Sequence, residues 1–231
     1  MARTCLLVLG GEIRDDSLFR RRLTEADHIL VADSGARHLV RLGITPEVIY
    51  GDLDSLTPEE IRQWEEGGCR FVRSPAEKND TDGGIVLREA LKQGFRDIRI
   101  WGALGGRPDH SFANITLLQF VLLPEYRDIG IREDEDLPDI VIEDKDYSIF
   151  LAKKKQWIEG RKGDFVSFFA LSPEVSGFRQ QGLKYQPAGD RYVSAFPLGV
   201  SNELTQERAW IDWREGVLLC MHIHSSISRN E

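Results

Sequence analysis

Short apolar runs alternate with stretches of helical spacing through the first half of the chain. "CLLVLGG" precedes a helical pattern over 15–24, "HILVADSG" one over 35–42 and "VIYGDLDS" one over 58–66. "CRFV", a segment over 82–93, "IRIWGALGG" and a segment over 110–122 continue the series. This β-α-β-α rhythm predicts a mainly parallel sheet flanked by helices. Ligands of such sheets gather beyond the carboxyl ends of the strands. The helix over 58–66 has a legible start, because Thr57 can cap it, Pro58 suits the first helical position and Glu60 completes a T-x-x-E box. Asp52 and Asp54 are thereby placed on the strand-to-helix rim.

From Pro124 the pattern changes. The acidic stretch "REDEDLPDIVIEDKD" reads as a solvated linker, with cation binding as the competing explanation. Beyond it, "DFVSFFAL", "RYVSAFPLG", "AWIDW" and "GVLLCMHIHS" are rich in β-branched and aromatic residues and predict strands, with "REG" as a hairpin turn. The resulting expectation is an α/β domain over 1–130 followed by an antiparallel β-sandwich over 131–231.

Composition narrows the function classes. At 231 residues, 29% charged and 41% hydrophobic, the chain has room for a real core in two modest domains. The net charge of −8 offers no cationic field for a nucleic-acid backbone and favours small ligands. No run reaches the roughly 20 apolar residues of a membrane span, and "MARTCLLVLGGE" reads as a first strand, not a secretory signal. Cys5, Cys69 and Cys220 are odd in number and widely spaced, which points to a reducing compartment and buried small side chains. A cytoplasmic enzyme or binding protein is expected.

Carboxylates recur at the predicted strand ends. If the backbone is extended through Asp52-Leu53-Asp54, both carboxylates face one side and Leu53 the other. Such hard oxygen ligands suit Mg²⁺, although aspartate is also common in turns and caps. Asp33 in "VADSGA", Asp80 and Asp82 in "KNDTDGG" and Asp109 in "GGRPDH" fall at comparable places, and a parallel sheet brings such ends together. Asp82 and Asp109 also stand where helix caps belong. Gly102, Gly105 and Gly106 let the backbone approach a phosphate or base, with Arg107 as a charge-matching donor and Lys78 as a second cation in reach. Neither a P-loop nor a dinucleotide fingerprint is present. His222 and His224 alternate on the last strand but lack a third metal ligand nearby. Ser34 lacks the leading glycine of a hydrolase nucleophile motif.

Taken in order, "ADSGA", "GDLDS", "KNDTD", "GALGGRPDH", "GLKY" and "GVSNE" resemble the motif series of the thiamine pyrophosphokinase family over about residues 5–220. The resemblance implies an α/β nucleotide-binding domain, a thiamine-binding β-sandwich, and a homodimer with active sites at the subunit interface. It implies pyrophosphoryl transfer from ATP to the hydroxyl of thiamine, giving thiamine diphosphate and AMP. Asp52, Asp54 and Asp82 are then Mg²⁺ ligands, directly or through water, with Asp33 in support, and either Asp80 or Asp82 accepts the hydroxyl proton or the transfer needs no dedicated base. Lys78, Gly102, Gly105, Gly106, Arg107 and Asp109 become nucleotide-side residues, and Tyr185, Ser201 and Asn202 become thiamine-side residues. Gly83-Gly84 depart from the pattern, since related sequences carry better helix formers there. A pyrophosphokinase acting on another small alcohol such as a pterin, and a non-catalytic nucleotide or thiamine sensor, are the alternatives.

Overall fold

The run Thr4–Val8 forms the first strand, β1, and its two-residue period sends Leu6 and Val8 to one face and Cys5 and Leu7 to the other. All four are buried, so helices cover both faces. The computed structural model of the chain describes residues 3–51, 53, 56–73, 80–123 and 137–224. Two compact units result, Met1–Asp144 and Lys145–Glu231.

In the first unit β1 is followed by α1 (Asp16–Glu25), β2 (His28–Ala32), α2 (Ala36–Arg41), β3 (Val48–Gly51), α3 (Pro58–Glu66), β4 (Arg70–Arg73), α4 (Asp82–Lys92), β5 (Asp97–Trp101), α5 (Pro108–Leu117) and β6 (Asp139–Glu143). The strand order is β6-β5-β1-β2-β3-β4, and the described pairings among them are all parallel. The chain steps one way from β1 to β4, then α4 carries it back across β3, β2 and β1 to place β5 on the other side of β1. The order therefore reverses between β1 and β5, where open α/β sheets bind ligands.

Local chemistry sets the helix starts. Thr57 and Glu60 form the anticipated capping box of α3, the Thr57 oxygen accepting from Glu60 N at 3.2 Å and Glu60 Oε2 accepting from Thr57 N at 2.8 Å. Asp15 caps α1 through two backbone bonds. One face of the sheet packs Phe19, Leu39, Trp64 and Trp101 with Leu6, Val8 and Ile49.

Two expectations are corrected here. "DIVIE" is not part of a solvated linker: Ile140, Val141 and Ile142 are buried as β6, in register with Ile98, Arg99 and Ile100 of β5. The first unit thus runs on to Asp144, past the boundary expected at 130, which lies outside the described residues. The extended backbone assumed through Asp52-Leu53-Asp54 is interrupted at Leu53, whose φ is +67° and whose side chain is buried.

The second unit is antiparallel. β7 (Tyr147–Leu151), β9 (Phe165–Ala170), β13 (Asn202–Glu203) and β15 (Leu218–Ile223) form a sheet in the order β13-β9-β15-β7. β8 (Gln156–Glu159), β11 (Arg179–Gln181) and β14 (Arg208–Asp212) form a second, and β10 (Glu174–Ser176) pairs with β12 (Arg191–Val193). Phe168, Phe178 and Tyr192 meet between them with ring centroids 4.9–5.8 Å apart. "REG" turns the chain, but it joins no hairpin: β14 pairs with β11 and β8, whereas β15 pairs with β7 and β9. The turn carries the chain from one sheet to the other. No described helix is long and apolar enough to cross a membrane.

Candidate functional site

At the reversal of strand order the loops after β1 and β5 are laced together. Leu9 N donates to Trp101 O at 2.8 Å, Gly11 N to Gly102 O at 2.7 Å and Glu12 N to Leu104 O at 2.6 Å. So close an approach leaves no room for a side chain at Gly102, whose φ is +68° and whose Cβ would overlap the Leu9 carbonyl. His38 donates from Nε2 to Gly11 O at 2.8 Å, and burial holds its ring below the usual imidazole range.

Beside this floor lies a cleft of about 620 Å³. Its lining includes Asp33, Asp80 and Asp82 together with Gly102, Gly105, Gly106 and Arg107. Residues from the ends of β2 and β5 and the start of α4 therefore meet at one place, as the strand-end argument requires. Asp33 is 2% exposed at the end of β2. A methyl group on Gly51, the last residue of β3, would lie 3.0 Å from Asp33 Cβ and 3.3 Å from Asp82 Oδ1. The aspartates thus flank the strand end from which Asp52 and Asp54 continue.

Asp52, Asp54 and Lys78 lie outside the described residues. Among the described residues no group of three or more His, Cys, Asp or Glu side chains is arranged to hold a metal ion. Hard carboxylate oxygens at Asp33 and Asp82 nonetheless match the chemistry of a Mg²⁺ shell completed by further carboxylates, water and phosphate oxygens.

Helix capping does not account for Asp82. Thr81 caps α4, its hydroxyl accepting from Gly84 N at 3.1 Å, and Asp82, in the first turn of the helix, lines the cleft. Asp109 does not line the cleft: it sits in the first turn of α5 and binds Arg107 through two bonds, of 3.1 and 2.7 Å. The guanidinium holds the Asp109 carboxyl down to about 2, so Asp109 orients Arg107 on the rim. The glycine loop leads into the N-terminus of α5, where the helix dipole favours an anion.

Sequence reasoning missed Gly10, Gly11, Asn114 and His110, which also line the cleft. The double glycine directly after the first apolar run was a readable signal of close backbone approach. Asn114 Nδ2 donates to Ala103 O at 2.7 Å and steadies the glycine loop, which residue type alone does not reveal. Ser34 lines the cleft as well.

The thiamine-side candidates lie in the second unit. Tyr185 is 55% exposed, but its backbone is fixed: Asn202 Oδ1 accepts from Tyr185 N at 2.9 Å and Asn202 Nδ2 donates to Tyr185 O at 2.7 Å. Asn202 Oδ1 also accepts from Glu203 N at 2.9 Å, and the residue is 4% exposed. Its amide is engaged with backbone, so Asn202 holds Tyr185. Ser201 adopts φ +58°, with its N–H donating to Ser167 Oγ at 3.0 Å. Lys184 Nζ stands 5.4 Å from the Tyr185 ring centroid and binds Glu203 Oε2 at 2.9 Å.

His222 and His224 do not face a shared ligand. His222 Nε2 meets Asp164 Oδ2 at 2.9 Å in the interior, and His224 Nδ1 meets Lys145 O at 2.9 Å. Cys5, Cys69 and Cys220 are free and buried, and burial pushes the Cys5 thiol up to about 12.

Known families and folds match both units. Residues 19–127 match the family described as thiamin pyrophosphokinase, catalytic domain, and residues 147–218 match its vitamin B1 binding domain. A thiamine pyrophosphokinase of Bacillus subtilis is 27% identical over 187 residues, covering 81% of this chain and 83% of that protein. The crystal structure of thiamine pyrophosphokinase from Bacillus subtilis superposes with a TM-score of 0.80 at 26% identity, covering 96% of this chain and 99% of that one. The corresponding enzyme structure from Geobacillus thermodenitrificans gives 0.75 at 28% identity, covering 97% and 99%.

Proposed function

The chain belongs to the thiamine pyrophosphokinase family, and from that premise we propose how its residues carry out the chemistry. The reaction is transfer of a pyrophosphoryl group from ATP to thiamine. The thiamine hydroxyl oxygen bonds to the β-phosphorus, the bond from that phosphorus to the α,β-bridging oxygen breaks, and AMP leaves. The hydroxyl proton passes to Asp80, Asp82 or water. The observation that carries the assignment of the site is the convergence of Asp33, Asp80 and Asp82 with the Gly102–Arg107 loop in one cleft.

Transfer of this kind depends mostly on positioning and on offsetting charge. The glycine loop offers backbone N–H groups to the phosphates, and Arg107, oriented by Asp109, matches their charge. Asp52, Asp54 and Asp82 would hold Mg²⁺, with Asp33 beside them. Bound there, the ion supplies compensation for the phosphate charge. In the second unit Tyr185 offers an aromatic face to the cationic thiazolium, Asn202 fixes that face, and Ser201 lies beside it. The same reading makes the protein a homodimer with active sites at the subunit interface. It also places the protein in the cytoplasm, in keeping with three unpaired cysteines.

Product analysis tests the assignment. Incubation with ATP, Mg²⁺ and thiamine is expected to give AMP and thiamine diphosphate in equal amounts. ADP with thiamine monophosphate would contradict the bond cleavage. Turnover with a pterin alcohol but not thiamine, or binding without turnover, would replace the assignment by one of its alternatives.

A further inference from the structure

The start of α4 contains two of the poorest helix formers, Gly83 and Gly84, in its first turn. What Gly84 provides is space. A methyl group there would fall on the Asp80 carboxylate, with Cγ 3.0 Å and Oδ2 3.4 Å away. The Asp80 side chain therefore lies across the first turn of the helix, against bare backbone. Arg88 stands four residues beyond Gly84, on the same helix face, and its Nη2 donates to Asp80 Oδ2 at 2.7 Å. The Phe120 ring backs the guanidinium, with the centroid 5.4 Å away. Asp80 is thus held from one side by a charge-assisted hydrogen bond and seated on a surface that only glycine leaves open, while it lines the cleft.

We propose that Arg88 is a positioning residue for the transfer reaction. It anchors one oxygen of Asp80 so that the carboxylate is presented to the cleft in a single orientation, and Gly84 is the residue that makes room for this. The inference rests on the pyrophosphokinase reading of the cleft. An aspartate close to Asp82 and Asp33 would otherwise turn toward solvent to relieve like-charge repulsion, and the arginine removes that incentive.

The test uses the full chain with ATP, Mg²⁺ and thiamine, comparing Arg88→Met, Arg88→Lys and Gly84→Ala, and Arg88→Met combined with Asp80→Asn. Arg88→Met is expected to lower kcat about tenfold or more while KM for ATP stays within about twofold. Arg88→Lys restores a large part of the rate. Gly84→Ala lowers kcat as Arg88→Met does, although alanine is the better helix former and the melting temperature holds or rises. In the Asp80→Asn background Arg88→Met costs nothing further. Should Arg88→Met fail to fold, Arg88→Lys and Gly84→Ala still decide the matter. Wild-type kcat in both Arg88→Met and Gly84→Ala, or an undiminished Arg88→Met loss in the Asp80→Asn background, overturns the inference. A wild-type chain that makes no AMP from ATP and thiamine would instead remove the reading beneath it.

Discussion

Replacing Asn202 separates a side chain that holds backbone from one that waits for a ligand. Its amide makes three bonds, two of them to Tyr185, from a position only 4% exposed. At about 1 kcal/mol net per bond, less what water restores around the half-exposed Tyr185, Asn202→Ala costs about 2 kcal/mol. In a chain of this length that lowers the melting temperature by about 4–8 °C. Asn202→Asp is the sharper variant, because it keeps the acceptor for Tyr185 N and Glu203 N but sets an oxyanion against Tyr185 O in place of the 2.7 Å donor. A protonated carboxyl could donate there, so the folded state raises the pKa of the introduced group above its unfolded value of about 3.9. The sign follows: the variant is near wild-type stability below that value and loses stability as pH rises through the folded pKa. Urea unfolding at pH 4, 5.5 and 7.5, with KM for thiamine and for ATP, measures both consequences. KM for thiamine is expected to rise in both variants and KM for ATP to hold. Wild-type melting and wild-type thiamine KM in both would refute the clamp.

Three further outcomes are expected. Asp82→Asn should cut turnover by about 10² or more with the fold intact, since it removes a charge from the proposed ion site; steady-state kinetics with circular dichroism check it, and wild-type kcat would remove Asp82 from the site. Gly102→Ala should destabilise the first unit by about 1–3 kcal/mol, because it forces an L-residue to φ +68° against the Leu9 carbonyl; a urea midpoint equal to wild type would contradict the packing. Burial holds the His222 imidazole below its ordinary value of 6.5, so its contribution is full above 6.5 and is lost as pH falls below it toward the folded pKa. The urea midpoint should drop between pH 7 and pH 5 by more in wild type than in His222→Phe.

The β-α rhythm and the start of α3 were legible because period-two burial and a capping box are local properties. β6 was not, because charges flank its three apolar residues and its burial comes from β5, a neighbour distant in sequence. Nor was the path after "REG": turn residues signal that the chain reverses, whereas the sheet the next strand joins depends on partners far along it. The convergence of Asp33, Asp80 and Asp82 followed from strand-end reasoning. That Thr81, not Asp82, caps α4, and that Gly84 is open space for Asp80, depends on contacts no propensity scale contains. Asn202 shows the same limit, since the identity of an asparagine does not say whether its amide meets ligand or backbone.

The central claim is that carboxylates from separate strand ends and the glycine loop hold one nucleotide phosphate chain between them. A crystal structure with a non-hydrolysable ATP analogue, Mg²⁺ and thiamine measures this directly. The account predicts phosphate oxygens along Gly102–Arg107 and an ion ligated by carboxylates from among Asp33, Asp52, Asp54 and Asp82. Phosphates bound elsewhere, with those carboxylates dispersed and directed to solvent, would contradict it.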